Sequence, residues 1–194
     1  MMGTVAKSLE YAFEAELGKI VAPIKADKDK NASNGQFISA PAGVGNFVGA
    51  VEFKILIPKR TKYYIWGKVI ATDGGNDSFF VTWDGEAKGD NNGVNVWDTA
   101  QGAAWQWDMV MGRGHSDPKA FELKPGEHVL TMWGREDDTK LDCLFISDSL
   151  KADPREPTKK EIASQKPDSV IGALAVEATG KLATTWGEIK QRSR

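Results

Sequence analysis

Three carboxylates in this sequence sit where carboxylates are costly. Glu14 and Glu16 flank Ala15 in FEAEL, and Asp142 interrupts the apolar run LDCLFIS near the other end of the chain. A buried carboxylate must be paired or coordinate a metal. Residues two apart on a strand share a face, so Glu14 and Glu16 repel unless a cation lies between them. If the first and last strands are neighbours, Asp142 completes an oxygen-rich set suited to calcium, which takes six to eight oxygens. A solvated outer face explains the glutamates equally well from spacing alone.

The second group that could do chemistry is aromatic. The chain has seven tryptophans. Trp105 and Trp107 fall on one side of their strand, and Tyr64 and Trp66 share a face on theirs. A flat ring suits the C–H face of a sugar, with polar groups beside it for the hydroxyls. Trp105 opens its strand next to the loop AQGAA, and Trp97 lies in the loop before it. Both are candidate platforms, although most tryptophans in strands pack the core. Arg135, Glu136 and Asp137 form a charged turn before the last strand. They offer a clamp for an anion or acceptors for hydroxyls, or simply a solvated hairpin.

Nothing in the chain forms a catalytic set. His115 and His128 are isolated from one another and from metal-ligand spacing. Cys143 sits among Leu141, Leu144 and Phe145 and reads as a buried thiol. The loop DGEAKGDNNG has its Gly and Glu misplaced for an EF-hand, and no glycine-rich loop leads into a helix that could hold phosphate. A formal net charge of −2 gives no long-range pull on nucleic acid or an anionic membrane. No apolar run is long enough to span a bilayer, and the first sixteen residues contain no apolar stretch typical of a secretory signal.

The elements that must position these groups are short strands. Tyr11–Leu17 alternates, as does Ala50–Ile57, with Val51, Phe53, Ile55 and Ile57 inward. Lys62–Thr72, Ser78–Trp83, Trp105–Met111, His128–Trp133 and Leu141–Ser147 are rich in β-branched and aromatic residues. Asp27–Gly35 and Asp84–Asn95 read as polar loops. Roughly ten strands precede residue 150, with almost no helical periodicity. The fold expected is all-β, an antiparallel β-sandwich of jelly-roll type over residues 1–150. Residues 151–168 are rich in Lys, Glu, Pro and Ser and read as a linker. A short tail follows, with an apolar patch at 170–176 and a helix start near Thr184.

In order along the chain, FEAELG, NASNGQFISAP, VEFKILIP, KYYIWGKVIAT and GEHVLTMWGREDDTKLDCLFIS resemble the galactose-binding-like carbohydrate-binding modules of the family 6, 35 and 36 group. The resemblance covers about residues 10–150. It implies an extracellular, non-catalytic sandwich that binds poly- or oligosaccharide and carries a structural Ca2+. The family's metal positions are matched by Glu14, Glu16 and Asp142. Its sugar-binding loops correspond to Trp105, Trp97, Arg135, Glu136, Asp137, Asn34 and Phe37, with Lys140 where the family often has Asn. Two other readings stand beside this one: an assembly protein self-associating through residues 170–194, and an enzyme on the same scaffold.

Overall fold

The computed structural model describes residues 8–43, 46–85 and 95–172. Among these, thirteen strands form two sheets facing each other across one core. In chain order they are β1 (Glu10–Glu14), β2 (Lys19–Val21), β3 (Lys25–Lys28), β4 (Gln36–Ser39), β5 (Ala50–Ile57), β6 (Thr61–Ala71) and β7 (Ser78–Trp83). After these come β8 (Asn95–Asp98), β9 (Gly102–Met109), β10 (Phe121–Leu123), β11 (Gly126–Gly134), β12 (Lys140–Ser147) and β13 (Val170–Ile171). One short helix, α1 (Lys159–Ser164), precedes β13. The arrangement is the expected antiparallel jelly-roll sandwich; the single parallel pairing is β13 on β5.

The larger sheet runs β10-β6-β12-β4-β3, with β1 also on β12 and β9 also on β6. The smaller runs β13-β5-β11-β7-β8, with β2 also on β5. The alternation in Ala50–Ile57 works as read: Val51, Phe53, Ile55 and Ile57 are all in the core. Tyr63, Ile65 and Val69 of β6 face them from the other sheet, which leaves Tyr64, Trp66 and Lys68 on the outer side. β3 and β8 were read as loop. Their sequences, KADK and NVWD, carry too little apolar alternation to signal a strand, and β3 is an exposed edge.

Two connections differ from expectation. The charged segment 135–139 is not a hairpin turn: β11 belongs to the smaller sheet and β12 to the larger, so it carries the chain across the sandwich. Residues 151–168, expected as a linker, lie with 169–172 against the sandwich as a strap. Arg155 pairs with Glu161 at 2.8 Å, and Thr158 and Glu161 form a reciprocal cap on α1. Gln165 bonds the backbone of Glu14, and β13 pairs β5. The apolar patch beginning at Val170 is thus partly used within the molecule. The remainder of that patch, Trp186 and the helix start near Thr184 lie outside the described residues.

His128 supplies a pH-dependent fastener in the smaller sheet. Its Nδ1 meets Asp84 and its Nε2 meets the Lys124 carbonyl at 2.8 Å. Two acceptors require both ring nitrogens to donate, hence the imidazolium. Burial works against that charge, but Asp84 and the Lys124 carbonyl outweigh it and raise the pKa above the ordinary histidine value. A raised folded-state pKa means the stabilisation is complete below the unfolded value, about 6.5, and is lost as pH rises through the folded value. Melting curves of wild type and His128→Gln are expected to differ most below the unfolded value and to converge as pH rises through the folded one. A gap independent of pH would contradict this.

Candidate functional site

The site begins at a joint. One edge of β12 is paired with β4 at Lys140–Leu141 and with β1 at Cys143–Ser147. β4 therefore begins where β1 ends, and Asp142 lies between their registers. On the other edge the β12–β6 ladder shifts register between Leu141 and Leu144, a bulge that re-aims the residues within it. Glu14 ends β1 directly opposite Cys143. The single 3-10 turn Ser33–Gly35 leads into β4.

Glu14 and Asp142, far apart in sequence, come together, with Glu16 at their border. Glu14 and Asp142 are both 0% exposed, and oxygens of each lie within 4.8 Å of one another and of the Cys143 sulfur. The Ser33 hydroxyl donates to Glu14 Oε1 at 2.6 Å, and the Ser33 amide donates to Asp142 Oδ2 at 2.9 Å. Asn34, held at φ 50°, donates from Nδ2 to Glu16 Oε1 at 2.9 Å. Glu16 is not on the strand, as the alternation implied. It sits in a tight turn closed by the Gly18 amide on the Ala15 carbonyl, because the chain must cross there to β2 in the other sheet. It borders the cluster rather than completing its innermost group.

Lys68 reaches into the same cluster from β6, with Nζ 2.9 Å from Asp142 Oδ2 and 2.5 Å from Glu156 Oε1 of the strap. One ammonium cannot balance three carboxylates. Glu14 Oε2, Glu16 Oε2 and Asp142 Oδ1 are buried without a hydrogen-bond partner. Burial pushes Glu14 up to about 8, with Glu16 and Asp142 adding to it against the Ser33 hydroxyl. Burial also raises Glu16 and Asp142, the latter against the Ser33 amide and Lys68. Orphaned carboxylate oxygens gathered in a closed cluster are of the chemical type that could ligate a hard cation such as calcium. Cys143 adds nothing to it, because burial and the same carboxylates keep its thiol protonated.

The second feature is the outer face of the larger sheet. Trp107 lies opposite Lys68 and Met109 opposite Trp66 in the β9–β6 ladder. Trp66 and Phe145 pack edge to face at 5.7 Å, with Tyr64, Trp107, Met109 and strap residue Ala152 against them. Trp105, half-buried, packs on Phe37 at 5.6 Å between ring centres, and its indole N–H donates to Asp29 at 3.0 Å. Lys140 stands over the other part of Phe37, 5.2 Å from the ring centre. Trp105 and Trp107 are thus two partly open rings on one face, about 7 Å apart along the strand. Asp29, Lys140 and Lys68 stand around them as polar groups.

Several expected sugar contacts serve the fold instead. Trp97 is 0% exposed. Its ring fills the space over Gly67, where a Cβ would collide with it, and its indole N–H donates to Asp108 at 2.8 Å. Arg135 and Glu136 pair with each other and with Ser78, and Glu136 also accepts from the Asp77 amide at 3.1 Å. They pin the crossing segment to β7. Asp137 accepts from the Gly43 amide at 2.7 Å. Asn34 belongs to the carboxylate cluster, and Phe37 is buried beneath Trp105. Sequence reasoning did not single out Ser33, Lys68, Glu156 or Gln165. The Tyr64–Trp66–Lys68 alternation does place Lys68 outward, but its partner is fixed by the β12 register. A cavity of about 190 Å3 opens between β1 and the strap. Of its polar lining, Glu161 and Gln165 are already bonded within the strap or to β1.

No protein-family model matches the sequence, and no curated protein matches it. Solved structures do. A family 35 carbohydrate-binding module from Clostridium thermocellum aligns with a TM-score of 0.50 at 13% identity, over 70% of this chain and 97% of the module. The C-terminal family 6 module of a laminarinase from Zobellia galactanivorans aligns with a TM-score of 0.50 at 14% identity, over 73% of this chain and 99% of the module. The fold is that of the family 6 and family 35 carbohydrate-binding modules. The β-(1,4)-mannanase of Podospora anserina that includes a family 35 module aligns with a TM-score of 0.54 at 13% identity, over 76% of this chain. The chain spans 29% of that enzyme, and 30% of an exo-β-1,3-galactanase from Phanerochaete chrysosporium. On the module frame, the carboxylate joint and the aromatic face both belong to the larger sheet, with β6 and β12 contributing to each.

Proposed function

We propose that this protein is a non-catalytic carbohydrate-binding module, extracellular in its working location, that grips a poly- or oligosaccharide on the outer face of its larger sheet. The observation that carries this reading is the pair Trp105 and Trp107. Both rings are partly open on one face, and Trp105 is held in place by Phe37 and by the Asp29–indole hydrogen bond. A ring fixed before binding loses little freedom on stacking against a sugar. Asp29 and Lys140 supply an acceptor and a donor for hydroxyls at the margin. This moves the platform away from the loops at the sandwich edge, since Trp97 is in the core and Arg135 and Glu136 are bonded within the fold.

We further propose that a structural calcium ion is held by Glu14 and Asp142, with Glu16 at its margin. A bound ion would neutralise the buried carboxylates and clamp the end of β1 to the middle of β12. The donor atoms are already gathered there and lack partners.

Affinity electrophoresis of the full chain through gels containing mannan, xylan, β-glucan or galactan tests the sugar reading. Retardation by at least one polysaccharide is expected, and loss of retardation in Trp105→Ala/Trp107→Ala. No retardation in any gel, with or without calcium, would refute it.

A further inference from the structure

The cation reading leaves one group unexplained: an ammonium already inside the cluster. Lys68 Nζ lies 2.9 Å from Asp142 Oδ2, and its side chain is only 11% exposed. Burial works against its charge, and its bonds to Glu156 and Asp142 more than offset this and hold its pKa above the ordinary lysine value. A divalent ion on Asp142 and a lysine on the same carboxylate repel each other across a poorly screened space. Yet Lys68 has a second partner, Glu156, and Glu156 belongs to the strap.

The strap meets the cluster at a second point. The Gln165 side chain accepts from the Glu14 amide at 2.8 Å and donates to the Glu14 carbonyl at 2.7 Å, as a neighbouring strand would. Between these anchors the strap is internally braced by Arg155 on Glu161 and by the Thr158–Glu161 cap. One anchor therefore depends on where Lys68 points, and the other on where Glu14 is held.

Building on the proposed cation site, we propose that Lys68 is a built-in competitor for Asp142 and that Glu156 receives it when the ion binds. Occupancy of the cluster then moves the ammonium wholly onto Glu156 and fixes Glu14 beneath Gln165. Both effects tighten residues 152–165 on the sandwich. The ion and the strap stabilise one another, and by reciprocity a docked strap raises the affinity for the ion.

Calorimetric titration of metal-stripped full-length chain with calcium, together with hydrogen–deuterium exchange of residues 152–165, tests the coupling. Calcium is expected to slow exchange at the Ile162 and Gln165 amides of wild type by about fivefold or more. Lys68→Met is expected to bind calcium about tenfold tighter with a clearly smaller calcium effect on the strap, because the competitor and its link to Glu156 are gone and only the Glu14–Gln165 contact remains. Glu156→Ala, a change at a half-exposed side chain, is expected to fold, bind calcium more weakly than wild type and show a smaller calcium effect on the strap.

Calcium binding by wild type with unchanged strap exchange, or equal affinity in Lys68→Met, would overturn the role of Lys68 and leave the cation site standing. Absence of calcium binding in wild type and both variants would overturn the cation site itself, and this inference with it.

Discussion

Calcium at about a thousandfold excess over its dissociation constant is expected to raise the melting temperature of metal-stripped protein by about 8–16 °C. Binding to the folded state alone contributes about 4 kcal/mol at that excess. For a chain of this size, each kcal/mol moves the midpoint by about 2–4 °C. The physical source is local: Glu14 Oε2 and Asp142 Oδ1 are buried without partners, so the metal-free fold carries unpaired polar atoms and carboxylates forced toward protonation, a cost that a bound ion would remove. Asp142→Asn should abolish the calcium effect, because the amide supplies one neutral oxygen in place of a carboxylate. Glu16→Gln should reduce it only in part, since Glu16 borders the cluster from its turn. Differential scanning calorimetry in chelator and in calcium measures all three. Identical midpoints for wild type in both buffers would refute the structural ion.

The second large effect separates two tryptophans that lie eight positions apart. Trp97→Ala is expected to destabilise the fold by about 3–5 kcal/mol, the usual cost of deleting a fully buried large aromatic. It also removes one of the two donors to Asp108, whose carboxylate accepts the indole N–H and the Ala100 amide. Trp105→Ala is expected to cost under about 1.5 kcal/mol of stability, since the ring is half-buried, but to weaken polysaccharide binding about tenfold or more as a central contact. Urea unfolding and a binding titration on the same two variants check both halves. Loss of binding in a stably folded Trp97→Ala protein, with Trp105→Ala unaffected, would invert the assignment.

The difference between those tryptophans shows where sequence reasoning runs out. Both stand beside short polar segments, and no spacing rule distinguishes them. What buries Trp97 is Gly67, thirty positions earlier, whose missing side chain leaves the space that the indole fills. The meeting of Glu14 with Asp142 was legible, because a carboxylate in an apolar strand demands a partner and the opening and closing strands of such a sandwich pair. Lys68 was half legible: alternation with Tyr64 and Trp66 sends it outward, while its position opposite Asp142 depends on the β12 bulge. The strap was not legible at all. Its Lys-, Glu- and Pro-rich composition is that of a linker, and its docking rests on the Gln165 amide, one lysine–glutamate pair, the β13–β5 pairing and a few small apolar contacts such as Ala152 and Ile171 that no periodicity announces. The Arg135–Glu136 turn had the composition of a solvated or ligand-facing loop, yet it crosses between layers and is bonded to Ser78.

Along one edge of β12 the neighbouring strand changes from β4 to β1 part-way. At that joint the Ala15 amide donates to the Asp142 carbonyl at 3.0 Å, so a single backbone bond carries the ladder from one partner strand to the other. A cation set at the joint would act as a rivet, adding a second fastening where force applied at the amino-terminal end reaches the edge of β12.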